Sequence, residues 1–311
     1  MGGDKIKAGD WEGVCEGLGA LFQPIVNIHT GRCFGCEVLM DGYRTLGFPT
    51  PASLLDAAHA AGWLEEAEFA VRRAAQAALP GGAATGDLAL FFNLDSRLLA
   101  RAREIQKATR KLFGEDARLI TEIRDRPRED AGEWPRLLRK HHCLTALDRF
   151  GKGVQALRLL HEGDFDFLKI DPFYTRDIDG DARKRVVVSS IVAMAHTLGM
   201  MVVALGVENE RELVVCRDLG CDLVQGFHIQ PPTAARAIAA TYRQVEAIGA
   251  ANRRRRLDPA GSWNSWTSSS PWTSTPPWRR CSTAWAAKWA APSSRWWTST
   301  ASPWESCTSA R

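Results

Sequence analysis

The chain has 311 residues, enough for one large domain or two small ones around a sizeable core. Its formal charge of +4 is uneven: from Asn252 onward there are nine Lys/Arg and two Asp/Glu, leaving 31 basic and 34 acidic residues before it. The basic excess belongs to the tail, so the main body carries no nucleic-acid-binding signature. The most apolar region, Val186 to Leu205, is interrupted by Ser189-Ser190, His196-Thr197 and Gly199, and fits a helix followed by a strand better than a membrane span. The first residues, Met1 to Lys5, have no apolar signal core, so a cytoplasmic location with no membrane segment is expected.

Alternating strand and helix patterns run through the body. Asp10 to Ala20 is predicted as a lead-in helix. Leu21 to Ile28 and Cys33 to Met40 are predicted strands, joined as a hairpin by His29-Thr30-Gly31-Arg32. Helices are predicted over Pro51 to Ala61 and Glu65 to Leu79, punctuated by Gly62 and Pro80-Gly81-Gly82. Strand–helix units then repeat. The strands are Leu88 to Asn93, Ala117 to Arg124, Cys143 to Asp148, Phe165 to Ile170, Met201 to Leu205 and Leu223 to Gly226. The helices after them are Leu98 to Leu112, Asp130 to His141, Val154 to His161, Ala182 to Leu198, Glu208 to Leu219 and Ala234 to Ile248. Eight strands in this order suit a closed α/β barrel. The predicted organisation is a lead-in over 1–19, a barrel domain over 20–250 and a tail over 251–311.

Cys33-Phe34-Gly35-Cys36 is a lone CxxC. No second pair or nearby histidines stand at zinc-ligand spacing, and strand parity sends the two thiols to opposite faces, so they are expected to be packing thiols. The tail opens on Arg253 to Arg256 and holds nine of the twelve tryptophans among Ser, Thr, Pro, Ala and Arg, with no helical or strand period. Such a composition could serve a membrane- or RNA-binding tail, but it better fits out-of-frame translation of a high-GC gene, with a downstream domain lost. Resequencing the locus tests it: an intact frame near codons 256–262 overturns it. Poor order is expected there.

The chemistry gathers at strand ends. Glu37, Asn93, Glu122, Asp148, Lys169 and Gln225 each fall at the C-terminal end of a predicted strand, and Glu208 just after another; in an α/β barrel that end is the active-site face. Glu37, Asn93, Glu122 and Asp148 form an all-oxygen, net-anionic set that suits Mg²⁺, Mn²⁺ or Ca²⁺ and matches zinc poorly. Lys169 suits a phosphate or a polarised water. After Asp148 come Arg149 and then Gly151-Lys152-Gly153, a loop free enough to approach a ligand.

At these residues the sequence resembles the EAL-domain family of bacterial cyclic di-GMP phosphodiesterases. The matching stretches are Gln23-Pro24-Ile25, Glu37-Val38-Leu39, Phe92-Asn93-Leu94, Glu122-Ile123, Ala146 to Gly153, Leu168 to Asp171, Val203 to Glu208 and Leu219 to Phe227. The resemblance implies a TIM-like (β/α)8 barrel with one antiparallel strand, often a homodimer, and two-metal hydrolysis of cyclic di-GMP to pGpG. Two cations would clamp the phosphate and lower the pKa of a bridging water. Glu37, Asn93, Glu122 and Asp148 match the first metal's ligands. Lys169 matches the lysine near the water, and Gln23 and Gln225 match ligand-side positions.

The departures fall on the rest of the site. The family's Asp-Asp pair is Asp148-Arg149 here, and a guanidinium binds no cation. The glutamate proposed as general base is Leu205, which leaves Glu208 as the remnant acid. A phosphate-binding arginine is Asp41, and the second acid of the Glu-x-x-Glu motif is Asp125. One Mg²⁺ or Mn²⁺ is therefore expected and the second site lost, so a degenerate, inactive member is expected. It would act by binding cyclic di-GMP or a protein partner, with weak phosphodiesterase activity as the alternative. Arg149 and Lys152 could meet a phosphate; equally, Arg149 could pair with Asp148, Glu122 or Asp41.

Overall fold

The computed structural model describes residues 10–79, 88–124, 144–152 and 156–248. Eight strands close a barrel in chain order: β1 (Gly19–Asn27), β2 (Cys33–Asp41), β3 (Ala89–Leu94), β4 (Leu119–Arg124), β5 (Leu144–Phe150), β6 (Phe167–Ile170), β7 (Met201–Ala204) and β8 (Leu223–Val224). β1 pairs antiparallel with both β2 and β8, and every other neighbouring pair is parallel. The reason is local: Asn27 and Arg32 close a tight hairpin, with Asn27 Oδ1 accepting from the backbone N–H of His29 and Thr30. A turn that short can join only antiparallel strands.

Side chains alternate across each strand and so form layers inside the barrel. Phe91 and Phe167 stack edge to face with ring centroids 5.3 Å apart, and Phe34 joins Phe167 at 5.7 Å. Two residues further along β3 and β6, on the same face, stand Asn93 and Lys169. An aromatic floor thus lies beneath a polar layer. Outward residues such as Leu90, Phe92, Leu168 and Ile170 are buried in the surrounding core.

The parity expected of Cys33 and Cys36 is corrected here, although both thiols pack against the core as expected. Register slips from Ile25↔Gly35 to Val26↔Cys33, so the bulge takes one residue out of the alternation. Phe34 turns inward to the aromatic floor, which leaves Cys33 and Cys36 on one side, where Cys33 Sγ donates to the Gly35 carbonyl at 3.4 Å. Both are free thiols.

The helices follow the sequence with shifted ends. The lead-in helix is Trp11–Glu16, and β1 starts sooner than expected. The helix expected from Leu98 begins as a 3-10 turn, Ser96–Arg101, before Ala102–Phe113. A four-residue helix, Pro172–Thr175, capped by Asp171, was not expected. The helix expected over Ala234 to Ile248 is not continuous. The chain around its first part instead bridges the opening hairpin, with Phe22 paired to Thr233 and Arg32 to Thr241; a 3-10 turn spans Ala235–Ala237 and only 243–248 is α-helical there. The bonds Cys33 N–H to Ala240 O and Tyr242 N–H to Gly31 O replace the helical ladder. The expected helix over Asp130 to His141, Asp125, Gly153 and the tail lie outside the described residues. Among the described residues no helix is long and apolar enough to cross a membrane.

Candidate functional site

Glu37, Asn93, Glu122, Asp148 and Lys169 come from five consecutive strands, and Gln225 follows β8 directly. Parallel register aligns them: Asn93 stands opposite Glu122, and Arg124 opposite Asp148. Lys169 is wholly buried and donates from Nζ to Glu37 Oε2 at 2.8 Å and to Glu122 Oε1; Asp148 Oδ1 lies 3.9 Å from it. Asn93 Nδ2 donates to Glu37 Oε1 at 3.0 Å, and Gln225 Nε2 donates to Glu37 Oε2 at 2.8 Å and Gln23 Oε1 at 3.0 Å. Six sequence-predicted residues therefore meet in one network, with Asp148 at its edge.

The end of β3 is held from outside the barrel. Arg72, buried on the helix Leu64–Ala78, pairs with Glu68 at 2.6 Å and donates from NH2 to the Asn93 carbonyl at 3.2 Å. Glu68 Oε1 accepts from the Asp95 N–H at 3.0 Å. This pair sets the backbone from which Asn93 projects.

Three buried acids share one buried ammonium. Burial opposes the charge on Glu37, but Lys169 and the hydrogen bonds from Lys169, Gln225 and Asn93 outweigh it and hold the pKa at about 2. Glu122 moves the other way, raised well above the ordinary carboxylate range by burial and by its neighbours Glu37 and Asp148. Burial lowers and the three carboxylates raise Lys169, and the carboxylates prevail, so it stays protonated. Glu122 Oε2 is buried without a hydrogen-bond partner.

Beside this network opens a cavity of about 230 Å³. Glu37, Asp148, Gln23 and Gln225 form its polar wall, and Arg124, Arg149 and Arg176 add three guanidinium groups. Leu39, Pro172, Leu205 and Phe227 are its apolar side, with Phe227 64% exposed. Leu205 therefore faces the space that the resemblance assigns to a base. Gly206 beside it holds φ +67, and a Cβ there would come 2.7 Å from the Pro172 ring.

Besides Lys169, two guanidinium groups meet Asp148. Arg124 donates from Nε to Asp148 Oδ2 at 2.9 Å. Arg149, at φ 55, brings Nε to 3.9 Å from the same oxygen and NH1 to 3.8 Å from Asp171 Oδ2. Of the pairings open for Arg149, Asp148 is realised, joined by Asp171. Arg124 was not anticipated, although strand parity carried the signal: it lies two residues beyond Glu122, on the same face of β4. Arg176 was also not anticipated; it pairs with Glu208, which is half exposed. Lys152 and Asp41 are exposed and lie away from the cavity lining. Among the described residues no three His, Cys, Asp or Glu side chains are grouped as metal ligands.

Residues 16–232 match the family described as EAL domain. The chain belongs to the EAL domain family. Its barrel is the TIM-like (β/α)8 fold of that family. This EAL domain is 33% identical over 221 residues to an uncharacterized protein of Azorhizobium caulinodans, covering 66% of this chain and 30% of that one. It is 26% identical over 229 residues to cyclic di-GMP phosphodiesterase PA2567 of Pseudomonas aeruginosa, covering 71% and 39%. The chain thus spans well under half the length of these relatives. The solved structure described as "PaMucR Phosphodiesterase, c-di-GMP complex" superposes with a TM-score of 0.61 at 27% identity, covering 71% of this chain and 98% of that one.

Proposed function

We propose that this EAL domain binds cyclic di-GMP without hydrolysing it and acts in the cytoplasm as a regulatory module. The observation that carries this reading is the guanidinium of Arg124 bonded to Asp148 in a cavity whose facing wall is Leu205. Leucine takes no proton, and loss of general acid/base catalysis alone costs about 10²–10⁴-fold. A cation brought to Asp148 meets Arg124 and Arg149 first. Three arginines with an exposed Phe227 instead favour an anionic ligand that also presents a flat ring.

The first metal position fits an ion better than the second. Glu37, Asn93 and Glu122 offer an all-oxygen set, and the unpartnered Glu122 Oε2 is a buried donor atom of the right kind for Mg²⁺ or Mn²⁺. Such an ion would supply charge to a bound phosphate. That single position is the basis for the second reading, a weak one-metal phosphodiesterase.

Calorimetry and chromatographic detection of pGpG separate the readings. Heat of binding with no product under Mg²⁺ or Mn²⁺ is expected. Turnover near that of an active family member overturns the inactive reading. Absence of heat and of a thermal shift at high ligand overturns the nucleotide reading and leaves a protein partner as the regulated species. The working unit is proposed as a homodimer, supported by the exposed Phe173 and Val186 on neighbouring helices; light scattering that gives a monomer mass overturns that.

A further inference from the structure

Asp148 is the one acid of the cluster whose nearest cation is a guanidinium. Its Oδ2 accepts from Arg124 Nε at 2.9 Å, whereas Lys169 Nζ stands 3.9 Å from its Oδ1. Arg124 and Asp148 are direct partners in the β4–β5 register, so the strands themselves aim one at the other. The Arg124 side chain is 48% exposed and lines the cavity. Nε serves Asp148, and among the described residues its terminal nitrogens make no hydrogen bond. A guanidinium has five N–H donors in a planar fork, so those turned from Asp148 suit the paired oxygens of a phosphate.

We propose that Arg124 is a built-in cation on Asp148, and that through it the cavity binds the phosphodiester group of a cyclic dinucleotide with no metal at that position. Arg149 stands beside it as a second donor, 3.9 Å from the same oxygen. A divalent ion on Asp148 would have to displace Arg124 from Oδ2 or share that oxygen with it, against like charge. The inference rests on the nucleotide reading above and adds to it the residue that holds the phosphate.

The test is calorimetry of the full chain with cyclic di-GMP, in EDTA and in Mg²⁺, for the wild type, Arg124→Gln and Arg124→Lys. Thermal melts check that each variant is folded. The wild type is expected to bind equally in both buffers, within about twofold. Arg124→Gln is expected to lose at least about tenfold in EDTA, the scale of one charge-assisted hydrogen bond. It should also regain affinity when Mg²⁺ is added, because Asp148 is then free for a cation. Arg124→Lys, which keeps the charge and loses the fork, is expected to fall between. A merely structural role for Arg124 would not create a Mg²⁺ dependence. Wild-type binding that vanishes in EDTA, or Arg124→Gln binding unchanged in EDTA, overturns this inference and leaves the nucleotide reading standing. No binding in either buffer overturns both.

Discussion

Lys169 on β6 reaches across the barrel to Glu37 on β2, Nζ to Oε2 at 2.8 Å, and both are buried. Removing the ammonium leaves Glu37 charged, buried and short of its partner. Lys169→Met is expected to destabilise the fold by about 3–5 kcal/mol, the usual cost of breaking a buried pair from one side. Urea denaturation checks it; a loss under about 1 kcal/mol would mean that water reaches the layer.

Acid should reveal the same contact. Glu37 has its pKa lowered from 4.5 to about 2 in the folded chain. Its folded value lies below its unfolded one, so the stability it contributes is complete above about pH 4.5 and fades as pH falls toward 2. Glu122, shifted upward, adds an opposite slope. Comparing Glu37→Gln with the wild type isolates the first: the stability gap should be constant at neutral pH and narrow below 4.5. A gap that holds constant to pH 3 contradicts the assignment.

On the inactive reading, hydrolysis is expected only with several changes at once. Leu205→Glu supplies a proton acceptor but leaves both guanidinium groups at Asp148. It should give no pGpG in Mg²⁺ or Mn²⁺. Adding Arg149→Asp and Arg124→Thr is expected to raise turnover above background by a measurable part of the 10²–10⁴-fold range of acid/base catalysis, about tenfold or more. Turnover in the single Leu205→Glu variant would contradict the role given to the arginines.

Gly226 is placed for contact rather than for flexibility. A Cβ there would lie 2.0 Å from the Val207 carbonyl oxygen and 2.4 Å from its nitrogen. Backbone cannot yield as a side chain tip can, so Gly226→Ala should cost about 1–3 kcal/mol. It should also move Gln225, whose Nε2 bonds Gln23 and Glu37. A melt with the wild-type midpoint would refute the close approach.

The barrel and its polar layer were legible because two signals agree. The strand–helix alternation set the barrel, and the recurrence of polar residues at strand ends put Glu122 and Lys169 on one face. What escaped was set by contacts across the sheet. Parity puts Arg124 on the face of Glu122, but its partner Asp148 is fixed by the β4–β5 register. The Cys33–Cys36 parity failed at a bulge that depends on how β1 meets β2. The helical pattern of Ala234 to Ile248 is real as composition, yet its first part lies where the opening hairpin offers unpaired backbone groups. Lys152 drew notice for its two glycine neighbours, but its side chain is exposed away from the cavity.

The bridges from Phe22 to Thr233 and from Arg32 to Thr241 tie the first hairpin to chain made more than two hundred residues later. During synthesis that hairpin emerges before the rest of the barrel and waits longest for its partners. At roughly 5–20 residues per second, its second edge and its final straps stay unmatched for about 10–40 seconds. Until Tyr242 clears the ribosome, β1 is an open edge available to any other nascent strand, so yield in the cell should depend on translation speed and chaperone supply more than the finished barrel suggests.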